Sequence, residues 1–65
     1  MNKYEISEKI YRICKLNGIT RAEFAIRASV SERQASRYLN GQCNFSIKIL
    51  NRIAKGLNVS VNKLL

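Results

Sequence analysis

Residues 20–39, TRAEFAIRASVSERQASRYL, decide how the chain folds. Thr20 and Glu23 stand in the T-x-x-E spacing of a helix-capping box, with Ile19 and Phe24 at the flanking apolar staple positions. The device repeats at once: Ser31 and Gln34 make an S-x-x-Q box between Val30 and Ala35. Only Ser29 and Val30 separate Ala28 from Ser31, so two helices must meet through a tight turn. The first carries Phe24, Ala25 and Ala28 inward, and the second carries Ala35 and Tyr38.

Reading outward, the segment before this pair is a helix from about Lys3 to Asn17. Ile6, Ile10, Ile13 and Cys14 recur at helical spacing, with Asn2 as its N-cap and Gly18 suited to a left-handed end. After the pair, Asn40-Gly41 reads as a turn. Ser46 caps a fourth helix whose apolar face is Ile47, Leu50, Ile53, Ala54 and Leu57, ending at Asn58. Ser60 caps a last short helix, with Val59 and Leu64 as its staple. No stretch alternates as a strand does. The expectation is an all-α fold: one compact domain over residues 1–65 built from five short helices.

Composition limits the chemistry. The 65 residues have twelve Lys and Arg against four acidic residues, a net charge of +8. Such a field favours a polyanion, nucleic acid before an anionic membrane surface, although a basic face can also serve only solubility. No apolar run approaches the ~18 residues of a membrane span, and no signal-like apolar segment opens the chain. Absence of His, and Cys14 and Cys43 far apart, leave no metal-ligand spacing and no acid–base pair or activated nucleophile. No enzyme activity, cofactor or metal is expected. Cys14 reads as a core residue and Cys43 as an incidental surface thiol in a loop, both reduced.

Two capped helices on a short turn have helix-turn-helix geometry. Residues 20–65, from Thr-Arg-Ala-Glu-Phe-Ala-Ile-Arg-Ala-Ser-Val-Ser through Asn40-Gly41 and Ser46-Ile47 to Leu57-Asn58-Val59-Ser60-Val61 and Leu64-Leu65, resemble the Cro and phage-repressor type helix-turn-helix family. With the first helix included, the resemblance covers nearly the whole chain. The chain departs from the family pattern at four positions. Ser29 stands where the family usually has Gly in the turn, and Phe45 where it commonly has Pro. Gly56 falls inside the fourth helix, and Leu39 replaces a commonly polar residue.

The resemblance implies a lambda-repressor-like domain whose third helix lies in the major groove of double-stranded DNA. It makes Glu32, Arg33, Gln34, Ser36 and Arg37 the base-reading candidates. Arg33 and Arg37 suit the N7 and O6 acceptors of guanine, Gln34 suits adenine, and Glu32 suits a cytosine amino group or the orientation of Arg33. Phosphate contacts fall by the same resemblance on Thr20, Arg21, Ser31, Asn40, Gln42, Asn44 and Lys48. Family members pair as two-fold dimers, so Val61, Leu64 and Leu65 are the dimer-surface candidates, with capping of the monomer core as the alternative. The implied protein is a cytoplasmic, nucleoid-associated regulator, a repressor or autoregulator on a palindromic operator. The competing reading is a protein-interaction module or antitoxin-like partner-binding protein that reuses the fold. A membrane-surface role is disfavoured, because the apolar helix faces are needed for the core.

Overall fold

The computed structural model describes residues 2–65. Four α-helices follow in order: α1 (Lys3–Leu16), α2 (Arg21–Ala28), α3 (Glu32–Asn40) and α4 (Ile47–Leu57). A 3-10 turn, Val61–Lys63, closes the chain. No strand forms among the described residues. The fifth helix anticipated from sequence is this single turn. Ser60 caps it, accepting from Asn62 N–H, but it is too short to bury residues of its own.

Each helix begins where its cap stands. Asn2, Thr20, Ser31 and Ser46 each accept the backbone N–H three residues on, at 2.9–3.2 Å. The boxes form only this half. The Glu23 carboxylate does not return to its own cap; it pairs with Arg27 one turn on, at 3.2 Å. Both partners are partly exposed, so the pair adds well under about 1 kcal/mol.

The helix ends share one device. At Gly18, Ser29, Gly41 and Asn58 the chain turns into the left-handed region. The N–H of the following residue then reaches back to a carbonyl in the last turn: Ile19 to Cys14, Val30 to Ala25, Gln42 to Arg37 and Val59 to Ala54. This Schellman arrangement satisfies carbonyls that the helix leaves orphaned. Ser29 holds φ 59° there without the freedom of glycine, and its hydroxyl makes no compensating hydrogen bond among the described residues.

The core joins all four helices. Phe24, Ile10, Ile53 and Leu64 are its largest fully buried side chains, and each contributes about 1.5–3 kcal/mol by leaving water. Ala25, Ala28, Ala35 and Ala54 keep the crossings close. Three details differ from the sequence reading. Ile47 lies 63% exposed at the start of α4 rather than on its apolar face. Ile13 is only half-buried. Cys43 is no surface thiol: it is half-buried and packs against the core.

Gly56 explains itself through α2. A Cβ on it would meet the backbone carbonyl of Arg27, 2.8 Å from the carbon and closer to the oxygen. The glycine admits the end of α2 against α4. Arg27 then donates from its guanidinium to the Gly56 carbonyl at 3.4 Å. Ser7, the one buried polar side chain among the described residues, donates its hydroxyl to the Tyr38 carbonyl, an orphan of the last turn of α3. That bond ties α1 to the far end of the third helix.

Candidate nucleic-acid interface

The orientation of α3 follows from its two buried residues, Ala35 and Tyr38. At 100° per residue, the face opposite them is centred on Arg33, Arg37 and Asn40. All three are exposed. Ser36 and Gln34 lie on the two flanks and are half-buried. Ring packing braces the inner face: the Tyr38 and Phe45 centroids are 5.7 Å apart. Phe45, at the family's usual proline position, thus anchors the loop after α3.

The turn through left-handed Ser29 places the first residues of α2 and α3 side by side. Arg21 Nε stands 3.8 Å from a Glu32 carboxylate oxygen, both well exposed. Between them, Arg21, Glu32, Arg33, Ser36, Arg37 and Gln42 line one open concavity of about 450 Å³. Four of the five base-reading candidates therefore share a wall with two of the phosphate candidates. Three guanidinium groups meet one carboxylate there, so the concavity is net positive. Arg33 and Arg37 have no ion-pair partner among the described residues, which leaves their forks free.

Gln34 does not join this wall. Its backbone N–H is held by the Ser31 cap at 3.1 Å, and its side chain sits on the other flank of α3. Among the remaining phosphate candidates, Thr20, Ser31, Asn40, Asn44 and Lys48 are exposed but lie outside the concavity. Thr20 and Ser31 use their oxygens as cap acceptors, and each hydroxyl keeps its proton free to donate. Asn40 donates to the Ser36 hydroxyl at 3.3 Å, which steadies both on the outward side of α3. Lys48 lies in the first turn of α4, where unpaired N–H groups already favour an anion.

The C-terminal candidates separate. Leu64 has no exposed surface and is taken up by the monomer's own core. Val61 is half-buried against that core, and Leu65 is 37% exposed. Lys9 donates to the Leu65 carbonyl at 2.7 Å and fixes the chain end on α1. Of the two readings the sequence left open for Leu64, dimer surface or cap of the monomer core, its burial favours the core.

Both thiols are poor nucleophiles. Burial pushes Cys14 above the ordinary thiol value, with partial opposition from the positive charge of Arg27. Cys43 is raised by burial as well, opposed by Arg37 and Lys3. No group of three His, Cys, Asp or Glu residues that could hold a metal stands among the described residues. No helix there is long and apolar enough to cross a membrane.

Comparison with known proteins agrees with this geometry. A helix-turn-helix family model matches residues 10–64. The restriction-modification controller protein C.AhdI from Aeromonas hydrophila has the same fold, with a TM-score of 0.90 over 97% of this chain and 96% of that one, at 14% identity. Curated protein sequences give no match. The chain belongs to the Cro/C1-type helix-turn-helix family and is a DNA-binding transcription regulator.

Proposed function

We propose that the protein is a sequence-specific regulator that binds a palindromic operator as a homodimer, with α3 in the major groove, and acts as a repressor or autoregulator. The observation that carries this reading is the concavity of Arg21, Glu32, Arg33, Ser36, Arg37 and Gln42, with two unpaired arginines on the outward ridge of α3. Arg33 and Arg37 are four residues apart on one face, the arrangement for two bidentate contacts to guanines. Glu32 holds Arg21 near the same edge and takes a cytosine amino group. Gln34 has the weakest position of the base-reading set, since it flanks α3 away from the others. Thr20, Arg21, Ser31, Asn40, Gln42, Asn44 and Lys48 hold phosphates and set the register.

A domain of this size reads few bases alone. Pairing places two α3 helices about one helical turn of DNA apart. The C-terminal surface around Leu65 and Val61 is the side offered for pairing, with Leu64 supporting it from beneath. A controller role of the kind named for C.AhdI fits this reading, as does any regulator that acts from an operator in the cytoplasm.

Selection of binding sites from random duplexes by the purified chain, repeated at two salt concentrations, tests the proposal. The expected result is an enriched inverted repeat, with affinity falling steeply as salt rises because counterions are released at each neutralised phosphate. No enriched motif and a flat salt dependence would overturn it in favour of a protein partner.

A further inference from the structure

The first turn of α1 carries groups that the reading above does not use. Tyr4 lies over Gly41: a Cβ on that glycine would stand 2.7 Å from the ring Cδ1 and 3.2 Å from Cε1. Gly41 is buried as a result, while Tyr4 itself stays 64% exposed. The ring edge therefore rests on the turn and its remaining surface faces solvent. Lys3 is close enough for its charge to act on the Cys43 thiol, together with that of Arg37. Its ammonium also stands 5.6 Å from the Tyr4 ring centre. Ser7, one turn further along α1, is fixed to the Tyr38 carbonyl, so this end of α1 is clamped against the end of α3.

We infer that Lys3 and Tyr4 form a further DNA-backbone site, in which the Lys3 ammonium and the Tyr4 hydroxyl bind a phosphate beside the one held by the Gly41–Asn44 loop. The inference rests on the operator-binding reading and extends its surface to α1. Three features carry it. The pair stands on the loop that already carries Gln42 and Asn44. Lys3 has no acidic partner among the described residues. Tyr4 is a large aromatic whose ring edge rests on Gly41 while most of it stays exposed, and tyrosine hydroxyls and lysines are ordinary phosphate ligands. Contact through a phosphate carries no base information, so the site adds affinity without changing the preferred sequence.

The test is a set of titrations of the full chain on its selected operator and on a scrambled duplex over a range of salt. Lys3→Ala is expected to weaken both duplexes equally, about five-fold, and to reduce the log–log salt slope by about one. Tyr4→Phe keeps the ring on Gly41 and removes only the hydroxyl; it is expected to weaken both duplexes about three-fold at an unchanged melting temperature. A role confined to packing leaves the salt slope untouched. Wild-type slope and affinity in both variants, while the wild-type chain binds its operator, would overturn this inference alone. A wild-type chain that binds neither duplex would overturn it together with the operator reading.

Discussion

Gly56 leaves room for the Arg27 carbonyl, which a Cβ there would strike, and the Arg27 guanidinium returns to the Gly56 carbonyl at 3.4 Å. This reciprocal contact lets α4 lie close against the end of α2. A helix interior normally favours alanine over glycine by roughly 1 kcal/mol. Here the neighbour that a methyl group would strike is backbone, which has no rotamer to change. Gly56→Ala is therefore expected to lower stability by about 1–3 kcal/mol, the range for overpacking. Urea denaturation reads this directly; a raised midpoint would show that the crossing is looser than described.

Ser29 is the opposite case. It holds φ 59° at the end of α2, where a side chain is strained and the hydroxyl has no hydrogen bond among the described residues to offset it. Ser29→Gly is expected to stabilise the domain by about 0.5–1 kcal/mol. For a chain of this size that is a rise of roughly 2–8 °C in melting temperature. DNA affinity should hold, because the turn keeps its shape. A lower melting temperature would mean that flexibility of glycine in the unfolded chain outweighs the relief.

The thiols give the domain an alkaline limit. Both cysteines are raised above the ordinary thiol value of 9.0, chiefly by burial. The folded chain thus keeps these protons at pH values where the unfolded chain has lost them. Their contribution is fully present below the unfolded value and is lost as pH rises above it. Denaturation midpoints are expected to fall between about pH 8 and pH 10 more in the wild type than in a Cys14→Ala, Cys43→Ala variant. Equal falls in both proteins would assign the effect to other groups. Alkylation of either cysteine in the folded chain should also be slower than in urea.

Much of the fold is legible because its signals are local. The caps Asn2, Thr20, Ser31 and Ser46 act over three residues, so spacing alone places the four helix starts. The left-handed ends at Gly18, Gly41 and Asn58 are equally local. What the sequence hides depends on distant partners. Nothing local marks Ser7 as buried; its acceptor is the carbonyl of Tyr38, far along the chain. Leu64 is fully buried after a single 3-10 turn, and whether it faced a partner or the core was open from its spacing alone. The outward ridge of α3 follows from Ala35 and Tyr38, but the Arg21–Glu32 pairing requires the actual angle between α2 and α3. Lys3 and Tyr4 could not be linked to the loop at Gly41 from spacing, since no periodicity connects them.

Arg33 and Arg37 are proposed to read bases while the rest of the basic surface holds the backbone. Paired titrations of Arg33→Ala and Arg37→Ala on operator and scrambled duplex test it most directly, with circular dichroism as the folding control. Each variant is expected to lose about 1–3 kcal/mol on the operator and much less on the scrambled duplex, with its helical spectrum unchanged. Equal losses on the two duplexes would make both residues phosphate ligands, and no loss on either would remove α3 from the groove.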